Sequence, residues 1–280
     1  QPWQMAFDKT TQTVWINTEL STYLTQLDPA TGMVNRYDLL PLGDAAGTNP
    51  HGIFYDFDTH VTPRIWVSHR NLGGSAAVPG DPVEEDHGRL TYLDLVQQEL
   101  VTYDLGNLDD SDIHAGDAHA VFVDDLGTTW ITLPHSNLLL EFDFSADGTL
   151  DSRNARVTSH ELPGELWSNT INTPDFSPHG IDVIVDERTG EEYVWVISEG
   201  GSGRLALLRP RAGDDGQDLW ITWDVDDQFQ DIRGTFMKVD DNETPGIPED
   251  DLVIGVFPVE RPQSSGGGGG GGGGAGSGGG

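Results

Sequence analysis

The strongest constraint on the fold is a tryptophan-centred segment that occurs four times along the chain. The copies are "TVWINTE" around Trp15, "RIWVSHR" around Trp66, "TTWITLP" around Trp130 and "YVWVISE" around Trp195, so that successive tryptophans lie 51, 64 and 65 residues apart. Each copy is rich in β-branched and aromatic residues, has the length of a strand and is bounded by turn residues. A repeat of this period predicts similar units that stack on one another, because one unit cannot bury its apolar face alone.

Each tryptophan segment has strand-like neighbours on both sides. Upstream of three copies stand "PHGIFYDF", "DAHAVFVD" and "PHGIDVIV", and downstream come pairs of strands joined by short polar loops such as Pro-Ala-Thr-Gly and Ala-Asp-Gly. The unit is therefore four antiparallel strands, and no stretch shows a helical period. The sequence predicts an all-β chain, a β-propeller of four-stranded antiparallel blades, with each tryptophan on a second strand and packed between blades.

The number of units is smaller than a closed ring requires. We expect a partial first blade at 5–40, complete blades near 49–105, 117–163 and 177–225, and a fifth that begins at "RGTFMKVDD" and has "DDLVIGVFP" as its second strand. This makes about four and a half blades, where six or seven are expected in a closed ring. Because an open ring leaves exposed sheet edges, we expect another protein chain or missing blades to complete it. We assign 1–262 to this domain.

The acidic composition excludes two classes of partner. The chain has 47 acidic and 14 basic residues and a formal net charge of −33, which repels nucleic acid and anionic membranes. No run of 18 apolar residues occurs, so we expect no membrane insertion. The acidity fits either a surface adapted to high salt, where screening relieves self-repulsion, or a surface that collects divalent cations. The scattered distribution of the acids favours salt adaptation, as in halophilic proteins.

The two ends of the chain suggest where the protein acts. Residues 263–280 are a glycine-rich tract, which we expect to be a flexible linker or tail, although an ordered polyglycine assembly or an artefact of sequence assignment remains open. The first residue is Gln1, which favours removal of a leader or excision from a longer protein. Cysteine is absent, so no disulfide forms. We expect a secreted or surface-displayed protein.

A histidine stands at the start of the first strand in three of the units. His51, His119 and His179 would converge on the top rim of a central channel, and His69 would lie near that rim. Three roles are open. The rings can pack structurally against the next blade, they can bind a metal as imidazole ligands, or one of them can act as a general base.

The motifs "PHGI" at 50–53 and 178–181, "VWINTE" at 14–19 and "VWVISE" at 194–199 resemble the virginiamycin B lyase (streptogramin lyase) family of β-propellers. The resemblance covers residues 5 to 225. It implies a seven-bladed propeller that opens a cyclic depsipeptide lactone by elimination, with a histidine as base and a magnesium ion held by two glutamates. In such chemistry the base removes the proton beside the ester carbonyl, and the cation stabilises the charge that develops.

The resemblance transfers only in part to the fourth unit. His179 occupies the position of the catalytic base, and Glu199, at the end of the following strand, occupies that of one cation ligand. The second ligand of the family lies two residues before the histidine, where this chain has Ser177.

The second and third units are also incomplete. Asn49 precedes His51 by two residues, and the tryptophan strand of that unit ends with His69. Asp117 precedes His119 by two residues, but the strand that follows ends in "WITLP". No unit carries the full acid–histidine–acid set.

Two classes of function follow. The first is a binding or assembly module whose rim meets a carbohydrate, a small cyclic peptide or another chain. The alternative is a metal-assisted C–O lyase that opens cyclic esters, with His179 as base. A Mg²⁺ or Ca²⁺ ion would then be held by Glu199, Asp117 and Glu19.

Overall fold

The computed structural model describes 2–18, 21–39, 49–57, 59, 62–70, 88–105, 118–134, 137–144, 156–163, 177–186, 188–199, 204–213, 216–224, 236–240 and 252–256. Within these residues the chain forms strands and turns, without an α-helix. None of the described residues belongs to a helix that could cross a membrane. The glycine-rich tract at 263–280 lies outside the described residues.

Four antiparallel sheets of four strands follow one another along the chain. The first blade consists of β1 (Pro2–Asp8), β2 (Thr13–Thr18), β3 (Tyr23–Leu27) and β4 (Val34–Asp38). The second blade consists of β5 (Asn49–Asp56), β6 (Arg64–Arg70), β7 (Arg89–Asp94) and β8 (Glu99–Asp104). The third blade consists of β9 (Val121–Val123), β10 (Thr129–Leu133), β11 (Leu138–Asp143) and β12 (Arg156–Glu161). The fourth blade consists of β13 (Ser177–Val185), β14 (Glu192–Glu199), β15 (Arg204–Arg209) and β16 (Leu219–Asp224).

The two ends of this series test the predicted blade boundaries. A fifth unit pairs β17 (Phe236–Asp240) with β18 (Leu252–Val256), which confirms the two strands expected there. The prediction of a partial first blade was wrong, because β1 completes that sheet and pairs with β2 from Met5 to Asp8. This first strand lacks the Pro-His-Gly motif and carries Trp3 in its place, so the motif does not reveal it.

Three of the four repeated tryptophans, Trp15, Trp66 and Trp130, lie between blades as predicted, whereas Trp195 packs on residues of its own blade. Trp15, Trp66, Trp130 and Trp195 are all buried. Trp15 belongs to an apolar cluster with Ile53 of the second blade. Trp66 and Trp130 belong to the corresponding clusters of the next two interfaces. Burial of such large side chains is the main force that holds one blade against the next.

In each four-stranded blade, an aspartate ends the first strand or directly follows it. In Asp8, Asp56, Asp124 and Asp186 a carboxylate oxygen accepts a hydrogen bond from a main-chain N–H two to four residues later, at 2.8 to 3.1 Å. These carboxylates satisfy the N–H groups of the turn between the first and second strands. Part of the acidic composition is therefore structural.

Candidate functional site

Three of the predicted rim histidines occupy the same place in successive blades. His51 lies on β5, His119 lies two residues before β9, and His179 lies on β13. The three residues are only 1%, 3% and 4% exposed. The repeat therefore brings three imidazoles to the same end of the inner strands, and we call this end the rim.

The rim rings pack directly against one another. The ring centroids of His51 and His119 are 4.0 Å apart and those of His119 and His179 are 3.9 Å apart, whereas His51 and His179 are 5.9 Å apart. Trp3 of the first blade extends this row, with its ring centroid 4.7 Å from that of His51. We call these four side chains the rim row. Trp3 thus occupies in the first blade the place that histidine occupies in the next three.

The spacing of the rim row is that of packed rings. Three imidazoles on one transition metal, each with a nitrogen about 2.1 Å from the ion, would have centroids roughly 5 Å apart. Two of the observed separations are about 4 Å. Across the part of the chain that the structure describes, no group of three or more histidine and acidic side chains is arranged to hold a metal ion.

A polar residue on each second strand fixes the main chain of the next rim histidine. Asn17 Nδ2 donates to the carbonyl oxygen of His51 at 2.5 Å, and Ser68 Oγ donates to the carbonyl oxygen of His119. Thr132 Oγ1 donates to the carbonyl oxygen of His179 at 3.3 Å.

The same three side chains also accept hydrogen bonds within their own blades. The donors are the main-chain N–H groups of Gln4, Gly52 and Ala120, at 2.7 to 2.8 Å. Each donor directly follows a rim residue of the same blade. We call Asn17, Ser68 and Thr132 the blade clasp, because each ties the first strand of its blade to the first strand of the next.

Gly52 marks the closest approach between two blades at the rim. A Cβ atom at this position would meet the carbonyl oxygen of His119, and it would lie 2.6 Å from Ser68 Oγ and 3.0 Å from the main-chain nitrogen of Val121. Two of these atoms belong to the backbone of the third blade, so they cannot move aside. Glycine in the Pro-His-Gly motif of the second blade is therefore required by packing.

His69 lies at the end of β6 and is separate from the rim row. In the sheet it pairs with Pro50 on one side and with Arg89 on the other. Its ring is buried, and within the described residues neither ring nitrogen has a hydrogen-bond partner. Burial, together with the charge of Arg89, lowers the pKa of His69 to about 3. This side chain is therefore neutral at physiological pH.

The predicted cation ligands are only partly described. Asp117 and Glu19 lie outside the described residues. Glu199 ends β14, where its backbone pairs with Ser177 of β13, and the side chains of both lie outside the described part. The register places Ser177 opposite Glu199, beside the irregularity that contains His179.

The sequence matches no family model. It matches no curated protein either. Among solved structures, virginiamycin B lyase from Staphylococcus aureus is 12% identical and aligns over 83% of this chain with a TM-score of 0.51. A gluconolactonase-like protein is also 12% identical and aligns over 91% of this chain and 71% of its own, with a TM-score of 0.52.

The chain has the β-propeller fold. It spans 58% of the length of the Staphylococcus aureus lyase chain. At identities this low, the structural similarity establishes the fold alone. The chemistry must be inferred from the residues of this propeller.

A second polar cluster lies at the opposite end of the strands, between the third and fourth blades of the propeller. It joins Asp124, Glu141 and His160 of the third blade to Glu192, Arg211 and Asp218 of the fourth. We call it the basal network. Its members come from six separate turns and strands and share no motif, so the sequence does not reveal it.

Proposed function

We propose that this propeller is a binding or assembly module, acidic and located outside the cell or on its surface. The observation that carries the proposal is the rim row, in which three histidine rings pack at about 4 Å and are 1% to 4% exposed. A general base needs a ring nitrogen within hydrogen-bond reach of the substrate proton. Rings that are buried against one another, with their main chain held by the blade clasp, favour a structural role at the rim.

The open side of the first blade supports a role in assembly. Met5 and Phe7 on β1 correspond to Ile53 and Tyr55 on β5, because Ala6 and Phe54 each pair with the tryptophan of their own blade. Ile53 is 9% exposed, whereas Met5 is 69% and Phe7 is 48% exposed. Exposed apolar surface of this kind is typical of protein–protein contacts. The proposed partner is another protein chain or further blades, with a carbohydrate or small cyclic peptide as a ligand of the rim.

The mass of the protein in concentrated salt tests the assembly. Sedimentation equilibrium should give more than one chain for the wild type and one chain for the double variant Met5→Ser, Phe7→Ser. Leu126→Ser is the matched control, because Leu126 is an exposed apolar residue in a turn of the third blade. A wild-type monomer that also binds neither carbohydrate nor cyclic peptide would contradict the proposal.

A second function, a C–O lyase that opens cyclic esters, is favoured by one observation. His179 sits beside the pairing of Ser177 with Glu199, and the fold is similar to that of virginiamycin B lyase. The family's second acidic ligand is replaced here by Ser177. The fourth blade thus does not provide the two-glutamate pair that would hold Mg²⁺.

Mass spectrometry after incubation with a cyclic depsipeptide lactone tests this second function. Elimination opens the ring with no change in mass, whereas hydrolysis adds one water. The lyase hypothesis expects an opened product of unchanged mass with the wild type and none with His179→Ala. Equal product from both proteins, or none from the wild type with Mg²⁺ or Ca²⁺ added, would reject it.

A further inference from the structure

The basal network contains two carboxyl groups that hydrogen-bond to each other across a blade interface. Asp124 follows β9 in the third blade, and Glu192 begins β14 in the fourth. Two carboxylate oxygens within hydrogen-bond distance cannot both be ionised without strong repulsion. The pair therefore holds one shared proton.

The surroundings of Asp124 place that proton on Glu192. Asp124 Oδ1 accepts hydrogen bonds from the main-chain N–H groups of Leu126 and Thr128, both at 2.9 Å. Asp124 Oδ2 accepts one from Trp130 Nε1 at 3.0 Å. Three donors favour an ionised acceptor, so Glu192 is the partner that donates.

The basal network has too few positive charges for both carboxyl groups of the pair to ionise. Arg211 donates to both carboxylate oxygens of Glu141 at 3.1 Å and to Glu192 at 3.3 Å. His160 bridges Glu141, at 2.9 Å from Nε2, and Asp218, at 2.6 Å from Nδ1. One guanidinium and one imidazolium balance Glu141 and Asp218, so the single negative charge on the pair already has no counter-charge in the network, and a second one would add directly to it.

We propose that the Asp124–Glu192 pair is a proton-operated latch, which holds the third and fourth blades together at their base and releases when alkaline solution removes the shared proton. Loss of the proton leaves two facing carboxylates in a buried site. The turn between β9 and β10, which Asp124 supports through two main-chain hydrogen bonds, then separates from the start of β14. The rim end of the same interface is held by Thr132 and does not depend on the proton.

The direction of the pH dependence follows from the raised pKa of the acid. Burial, the hydrogen bond to Asp124 and the charges of Asp124 and Glu141 raise the pKa of Glu192 to about 8. Glutamate in an unfolded chain ionises near 4.5. The contribution of the proton to stability is therefore complete below this lower value, decreases as the pH rises, and is gone above about pH 8.

Hydrogen exchange at the turn tests the latch in the whole chain. After correction for the intrinsic rate, the protection of the Leu126 and Thr128 amides should fall at least tenfold between pH 7 and pH 9.5 in the wild type. Glu192→Gln keeps a donor toward Asp124 at every pH, so its protection should change less than twofold. Glu191→Gln is the control, because Glu191 is an exposed neighbour that binds Arg209 and Tyr193, and it should behave as the wild type.

Direct titration of the glutamate carboxyl groups in the wild type tests the proposal even if Glu192→Gln folds poorly. In the wild type labelled with ¹³C at glutamate carboxyl groups, one glutamate should titrate near pH 8, and its signal should be missing in Glu192→Gln. Protection that stays constant to pH 9.5 in the wild type, or a glutamate spectrum in which every group ionises below pH 6, would overturn the proposal.

Discussion

Thr132 donates a hydrogen bond from its hydroxyl to the main-chain carbonyl oxygen of His179, 3.3 Å away across the interface between two blades. The same hydroxyl accepts a hydrogen bond from the Ala120 N–H at 2.8 Å, and the side chain is fully buried. One hydroxyl therefore ties together the first strands of the third and fourth blades. The position of the rim histidine depends on this contact as well as on its own strand.

Replacement of Thr132 by valine should destabilise the protein by about 1–3 kcal/mol, because the Ala120 N–H and the His179 carbonyl both lose a buried partner. The side chains have similar shapes, so packing changes little. Urea unfolding should show the loss in the free energy of unfolding, and Thr132→Ser, which keeps the hydroxyl, should lose less. Equal stability of the valine variant and the wild type would mean that the clasp contributes nothing at this interface.

A methyl group at Gly52 should be poorly tolerated. Gly52→Ala places a Cβ against the His119 carbonyl and 3.0 Å from the Val121 nitrogen, and overpacking of this kind costs about 1–3 kcal/mol. Ala120→Gly is the matched control, since Ala120 holds the same place in the third blade and already carries a methyl group there. That control should cost about 0.5–1 kcal/mol. Thermal unfolding should rank the alanine variant below the glycine variant, and the reverse order would contradict the close approach.

The four-stranded unit could be predicted because the same tryptophan-centred segment recurs with strand-like neighbours on both sides. Trp15, Trp66 and Trp130 predict the position of the second strand and its burial. The histidine motif predicts the first strand of three blades. The first strand of the first blade is not marked in this way, because Trp3 replaces the histidine. Its place in the row is evident only from the packing of its ring on His51.

The blade clasp could not be found by residue identity. Asn17, Ser68 and Thr132 are different side chains that share only a donor and an acceptor, and each stands two residues after a repeated tryptophan. The fourth blade has Ile197 there, which breaks the chemical pattern. A comparison of the repeats by hydrogen-bonding capacity would have aligned the first three.

The basal network could not be predicted from the sequence, for a different reason. Glu141 and Arg211 are 70 residues apart, and only the stacking of two blades brings them together. In the sequence, each of these groups looks like one more solvated charge on an acidic surface.

The contribution of His160 to the free energy of unfolding should decrease as the pH rises above neutrality. Burial alone would lower its pKa, but the hydrogen bonds to Glu141 and Asp218 outweigh it and raise the pKa above 6.5. The charged ring therefore stabilises the fold fully below pH 6.5, and this contribution is lost as the pH rises through the folded-state pKa. His160→Gln should cost about 3–5 kcal/mol at pH 6 and less at pH 9, because it breaks a buried ion pair. Urea unfolding in a Glu192→Gln background separates this effect from the latch, and an equal cost at both pH values would contradict it.

His69 should have the opposite effect and weaken the protein in acid. Its pKa is about 3 in the folded chain and 6.5 in its ordinary state, so the unfolded chain binds one more proton between these values. The free energy of unfolding that the neutral ring contributes above pH 6.5 is therefore lost as the pH falls toward 3. The loss is at most about 1.4 kcal/mol per pH unit. His69→Leu and His69→Phe both remove the titrating ring and fill the buried space, so the difference in unfolding free energy between pH 7 and pH 4 should shrink in both. If either variant keeps the full acid sensitivity of the wild type, the acid sensitivity comes from the many carboxylates and His69 is not its source.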